Sequence, residues 1–231
     1  VLRENPVTAF AFAMFGVLIF AAVFGPSIVP YDPLETNAAS VLQPPSMAHW
    51  FGTDNLGRDV FSRVVVATRL DLVISVAAVA LSFVIGSFLG AIAGYRGGWT
   101  DITLNRVLDT IMAFPLFVLA MGVVAALGNS VANIIYATAI INIPFYARLV
   151  RAEVNIRRNA GFTLAAKLSG NSDARILAFH IFPNALPPMM VQVSLNLGWA
   201  ILNAAGLSFI GLGVRPPTPE WGIMVAEGAN F

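Results

Sequence analysis

Long stretches without a single charged residue organise this chain. Residues 5–31 carry none, and Val7–Gly25 is the apolar heart of that run. Leu72–Tyr95 is a second, bounded by Asp71 and Arg96. Thr110–Ala147 is a third, 38 residues long and so too long for one crossing. Gly128-Asn129-Ser130 in its middle predicts a tight turn between two helices. Ala185–Gly213 is the last, with prolines crowding its start. A helix needs about 20 apolar residues to cross a hydrocarbon core about 30 Å thick. The pattern predicts an all-α polytopic membrane protein with five transmembrane helices. A cleaved signal peptide, the competing reading of the first run, is disfavoured: no small-residue cleavage pattern follows it, and four more spans do. The chain divides into an N-terminal transmembrane helix (1–25), an extracytoplasmic loop region (26–70) and a core (71–231) that includes a charged loop at 148–183.

Arg and Lys positions orient the spans. The loop after the fourth span holds Arg148, Arg151, Arg157, Arg158, Lys167 and Arg175 against Glu153 and Asp173, and the turn after the second holds Arg96 and Arg106. The 128–130 turn has no cation, and 26–70 mixes Arg58, Arg63 and Arg69 with four acids. The N-terminus, 96–106 and 148–180 are therefore expected in the cytoplasm, and 26–70, 128–130 and 214–231 outside. Five spans leave the C-terminus outside, so a sixth span beyond Phe231 is suspected.

Composition narrows the function classes. Only 11% of the 231 residues are charged and 58% are apolar, with a mean hydropathy of +0.79. Soluble domains carry about 25% charged residues, so a water-soluble domain, a nucleic-acid binder and a disordered chain are excluded. Cysteine is absent, which removes disulfides, thiolate catalysis and Cys-ligated metals. The two histidines, His49 and His180, are placed on opposite sides of the membrane and cannot share a metal. No ionisable residue is expected deep within a span, with Asp71 and Asp109 at span ends, which argues against an ion-coupled carrier. The sole lysine, Lys167, lies in no phosphate-binding loop, so ATP hydrolysis belongs on another polypeptide. No cofactor is expected in this chain.

Within the spans, Gly86, Gly90 and Gly94 recur every four residues, a ridge that lets another helix backbone approach closely. Pro115 and Pro144 are expected to kink the third and fourth spans. Asn142, Gln192, Asn196 and Asn203 are polar groups at membrane depth, suited either to interhelical hydrogen bonds or to lining a path through the third to fifth spans.

Three separated motifs are more particular. The charged loop contains Ala165-Ala166-Lys167-Leu168-Ser169-Gly170 and ends in His180-Ile-Phe-Pro183-Asn184, with short helices predicted on either side of Gly170. The segment after the first span reads Phe51-Gly-Thr-Asp-Asn-Leu-Gly-Arg-Asp-Val-Phe-Ser-Arg63. After the fifth span comes Gly211-Leu-Gly-Val-Arg-Pro-Pro-Thr-Pro-Glu-Trp-Gly222. Together these resemble the inner-membrane permeases of ABC importers, in the dipeptide/oligopeptide/nickel branch, from about Pro6 onward. One departure is that Leu164 stands where the family's EAA motif has Glu.

The resemblance implies a type I ABC-importer permease fold, six spans in the full family and a bacterial inner-membrane location. It implies a homologous second permease, two cytoplasmic ATPases that bind ATP and Mg, and an extracytoplasmic binding protein. The cargo it implies is a peptide or peptide-like solute, with nickel complexes, glutathione or opines as alternatives. Ala165, Ala166, Lys167, Gly170 and Arg175 would form the ATPase-coupling loop, presenting small residues to the ATPase with Arg157 and Arg158 nearby. Gly52, Thr53, Asp54, Gly57, Arg58, Asp59 and Arg63 would form an outer-mouth motif, with Asp54, Arg58 and Asp59 holding the segment together. Trp50 and Phe51 are expected as an interfacial anchor, and membrane lipid surrounds the spans.

Overall fold

The computed structural model describes residues 5–231, and its regular structure is helical. Val1–Glu4, the start of the N-terminal segment, lie outside the described residues. Helix α1 (Pro6–Ile28) begins where the Asn5 side chain accepts from the Val7 and Thr8 amides, with Pro6 at the first position, where its missing N–H costs nothing. Next come α2 (Val60–Arg96), α3 (Gly98–Ala113), α4 (Leu116–Leu127) and α5 (Val131–Arg157). Short helices α6 (Gly161–Leu168) and α7 (Asp173–Arg175) precede a π-helical turn over Ile176–Ile181, then α8 (Phe182–Phe209) and α9 (Trp221–Gly228).

Among the described residues, four helical stretches are long and apolar enough to cross a membrane: Pro6–Ile28, Val60–Arg96, Val131–Arg157 and Asp173–Phe209. The expected third span is not one straight helix. Gly98–Ala113 and Leu116–Leu127 meet at 89° across a break at Phe114-Pro115, and the pair makes a fifth span only if counted together. Pro115 removes a backbone donor and forces Phe114 into an extended conformation, which ends the preceding helix. Pro144, by contrast, stays inside an unbroken α5.

Two further boundaries differ from the charge-free runs. Helix α2 begins at Val60, so part of the expected loop region is helical and the helix is about 55 Å long. Asp71 is thus well inside α2 and buried rather than at a helix end. The last long helix starts at Asp173, well before Ala185, and runs through Pro187 and Pro188. The π turn just ahead of Pro183 widens the helix where the proline ring would otherwise press on the preceding turn.

The chain groups into two compact units. The first holds the chain up to Ile74, with Asn129–Val131 and Ala204–Phe231; the second holds Ser75–Gly128 and Ala132–Asn203. In the second unit the glycine ridge does what its spacing predicts. A Cβ on Gly86 would meet the Ile143 carbonyl oxygen at 2.7 Å, one on Gly90 the Ala147 oxygen at 2.2 Å, and one on Gly94 the Arg151 oxygen at 2.7 Å. Helices α2 and α5 therefore pack backbone to backbone. Below that seam Val150, Val154, Ala166, Ile176, Ile181, Ala185 and Met189 form a buried apolar cluster, which ties α6 and the π turn to α5.

Candidate functional site

In the first unit the 51–63 motif folds on itself. Asp54 accepts from the Leu56 amide at 2.9 Å and from the Arg58 amide at 3.0 Å, closing a tight turn that places Gly57 at φ +73°. A Cβ there would lie 1.9 Å from the Asn37 carbonyl oxygen, and one on Gly52 (φ +72°) 2.4 Å from that of Gln43. Both positions demand glycine. Thr53 accepts from the Gln43 amide at 2.8 Å and donates to the Ser40 carbonyl. Asp59 caps α2 by accepting from the Ser62 amide at 2.8 Å, and its other oxygen meets His49 Nδ1 at 2.9 Å. His49 therefore packs the segment, with its ring also on Tyr31. Trp50 and Phe51 are more than half exposed and pack on Phe61.

The centre of this unit is a buried ion network. Arg58, 2% exposed, donates Nε to Asp54 at 2.6 Å and Nη2 to Glu227 at 2.8 Å. Arg63, 1% exposed, donates to the same Glu227 oxygen at 3.4 Å and to the Pro33 carbonyl at 3.1 Å. All seven motif residues thus come together. Glu227, 169 residues after Arg58, is the member that sequence reasoning missed. No local spacing links it to the motif; its being one of two acids after residue 213 was the available signal.

The Pro-Glu-Trp-Gly stretch acquires roles the sequence reading left unassigned. Glu220, fully buried, caps α9 by accepting from the Ile223 amide at 2.9 Å. Trp221 donates its ring N–H to the Val64 carbonyl at 3.1 Å and its backbone N–H to Asp71 at 3.3 Å. Gly222 is needed because a Cβ would sit 2.1 Å from the Ala205 oxygen.

In the second unit the charged loop is a folded element. Helix α6 ends in a Schellman arrangement: the Gly170 amide donates to Lys167 and the Asn171 amide to Ala166, with Gly170 at φ +79°. Ala165, Lys167 and Arg175 are exposed, whereas Ala166 is 7% exposed within the unit's own apolar cluster. The small residue at 166 is therefore dictated by internal packing, not by a surface presented to a partner. Arg157 pairs with Glu153 on α5, and Arg158 donates to the Gly94 carbonyl at 3.1 Å, so neither is left around the loop's surface as expected. Arg151 forks onto Asp101, Arg148 pairs with Asp109 at 2.5 Å, and Tyr95 donates to Asp173 at 2.7 Å. These bonds fix both arms of the loop.

The four polar residues expected at membrane depth each bond within their own helix. Asn142 donates to the Thr138 carbonyl at 2.7 Å, Gln192 to Asn196 at 2.9 Å and Asn203 to the Trp199 carbonyl at 2.9 Å. Asn142 and Asn196 are buried, while Gln192 and Asn203 are partly exposed. Among the described residues no cluster of three metal-binding side chains occurs.

Comparison with known proteins agrees with this architecture. Residues 86–230 match the family described as binding-protein-dependent transport system inner membrane component, and residues 1–45 match the N-terminal transmembrane domain of oligopeptide transport permease C. The chain is 43% identical over 230 residues to the dipeptide transport system permease protein DppC of Alkalihalophilus pseudofirmus, covering 100% of this chain and 76% of that one. It is 42% identical to the probable D,D-dipeptide transport system permease protein DdpC of Escherichia coli, covering 100% and 77%. Against the glutathione transport system permease protein GsiD of Pectobacterium atrosepticum it is 40% identical, covering 99% and 76%. The chain belongs to the binding-protein-dependent inner membrane component family: it is a multi-pass permease subunit of an ABC importer.

Proposed function

We propose that this permease passes peptides or peptide-like solutes, driven by ATPases that grip the 148–183 loop. Peptide cargo is supported by the relatives, two of which are named for dipeptides and one for glutathione. The chain pairs with a homologous second permease and two cytoplasmic ATPases that bind ATP and Mg, and a binding protein delivers cargo from outside. The N-terminus lies in the cytoplasm and the network around Arg58 at the outer mouth. Partly exposed Gln192 and Asn203 are better placed to line the path than buried Asn142 and Asn196, because cargo needs accessible hydrogen-bonding groups.

The observation that carries the coupling role is the rigidity of the loop. Helix α6 is packed through Ala166 onto Val150, Val154 and Ile176, so a push on α6 reaches α5 and α8 without being absorbed by slack. Gly170 turns the chain between the two arms at φ +79°, and a Cβ there would meet nothing within 4 Å. Gly170→Val should therefore strain the turn by about 1 kcal/mol or more without a clash. Membrane assembly is expected to survive while ATP hydrolysis and peptide uptake become uncoupled in the reconstituted importer. Full uptake and normal ATPase association in Gly170→Val would remove the coupling role. Ala166→Trp, in contrast, is expected to unfold the second unit, seen as a lowered melting temperature, because position 166 has no room for an indole.

A further inference from the structure

We infer that a groove in the second unit binds one phospholipid bearing a primary ammonium, with its phosphate on Arg96, its ammonium on Asp173 and an acyl chain in the slot below. On a helix, positions four apart line one face. Val84, Phe88 and Ile92 make such a line on α2, and Arg96 ends it. Ala174, Ala178 and Phe182 make the facing wall, from α7 through the π turn to the first residue of α8. Between the two lies a cavity of about 780 Å³. Ala91, part of the unit's buried apolar cluster, closes its floor. Val84 and Phe88 are 63% and 66% exposed, so the slot stays open along a helix that crosses the membrane.

Charge is confined to one end of the groove. Arg96 and Asp173 are its two charged lining residues, and both are exposed. Nearby Arg151, Arg157 and Arg158 are bonded within the unit, which leaves Arg96 as the guanidinium at the groove's mouth. Asp173 accepts from the Tyr95 hydroxyl at 2.7 Å, a bond that fixes the carboxylate and leaves it acceptor capacity. One cation and one anion over an apolar slot match a zwitterionic headgroup over an acyl chain. The guanidinium suits phosphate, and polar pockets between helices at the membrane surface are headgroup sites. The carboxylate favours a primary ammonium, which donates hydrogen bonds, over a quaternary amine, which has none to donate. Length agrees as well. Val84 to Arg96 spans about 18 Å, and one leaflet with its headgroups is about 20 Å thick. A helix of another subunit laid in the slot would cover both charges and have to pair each separately, whereas one aminophospholipid pairs both.

The test uses the assembled importer, stripped of lipid in detergent and offered phosphatidylethanolamine, phosphatidylglycerol or phosphatidylcholine of equal chain length. By native mass spectrometry the wild type should retain one phosphatidylethanolamine that Ala178→Phe, which fills the slot, does not. That molecule should be held about tenfold more tightly than either other lipid. Arg96→Gln should weaken its retention about tenfold. Asp173→Asn keeps an acceptor for Tyr95 and removes the charge, so it should abolish the preference over phosphatidylglycerol. The melting temperature of the stripped importer should be the same in all three variants. Equal retention of the three lipids by the wild type would overturn the site, as would wild-type retention by Arg96→Gln or Ala178→Phe. A Phe88→Cys variant that cross-links to another subunit in native membranes would also overturn it, since the groove would then be a subunit interface.

Discussion

Gly90→Ala should be enough to destabilise the second unit. The added Cβ would lie 2.2 Å from the Ala147 carbonyl oxygen, 2.9 Å from its carbonyl carbon and 2.9 Å from its Cα. Backbone atoms of a packed helix cannot rotate out of the way, so α2 and α5 must separate, and Gly86 and Gly94 lose their contacts in the same movement. Overpacking of this kind costs about 3 kcal/mol or more when the obstruction is backbone. Gly122→Ala supplies the contrast, since a Cβ there meets nothing within 4 Å. It should be neutral or stabilise by about 0.5–1 kcal/mol, the ordinary helix preference for alanine. Thermal unfolding of the two variants in the same detergent decides the matter: a fall for Gly90→Ala and none for Gly122→Ala.

Arg58→Ala should be the most damaging single change in the first unit. It removes the guanidinium that joins Asp54 to Glu227 and leaves both carboxylates to the more distant Arg63. Breaking a buried ion network by deleting one partner costs about 3–5 kcal/mol, because the remaining charges stay desolvated. The hairpin at Asp54–Gly57 and the C-terminal helix α9 should loosen together, since Arg58 is bonded to both. Limited proteolysis should expose new cleavage sites in both segments. Arg58→Lys, which keeps the charge and loses the fork, should fall between the two. Arg69→Ala, at an exposed position of α2, should leave the pattern unchanged.

The membrane architecture was legible because hydrocarbon imposes a simple rule, and the charge-free runs obey it. The glycine ridge and the turn at Gly170 were legible for a related reason: a four-residue period and a lone glycine after a helix each have few structural meanings. The extension of α2 to Val60 was not, because Arg63, Arg69 and Asp71 interrupt the apolar run while the helix continues, two of them buried on partners from distant sequence. The 89° break was hidden because Pro115 alone does not distinguish a kink from a helix end. Ala166 was misplaced because a small residue fits equally well against a partner and inside a core; only the tertiary packing separates the two. Glu227 shows the same limit for charges, since its partners are 164 and 169 residues away in sequence.

The central claim is that this chain is the permease through which ATP hydrolysis drives peptide uptake. It is tested most directly by ATP-dependent uptake of a labelled dipeptide into vesicles holding the second permease, both ATPases and the binding protein, with and without this chain. Uptake that requires this chain, stops when ATP is withheld and collapses in Gly170→Val while ATPase subunits remain folded is the predicted result. Undiminished uptake in vesicles lacking the chain would contradict the account.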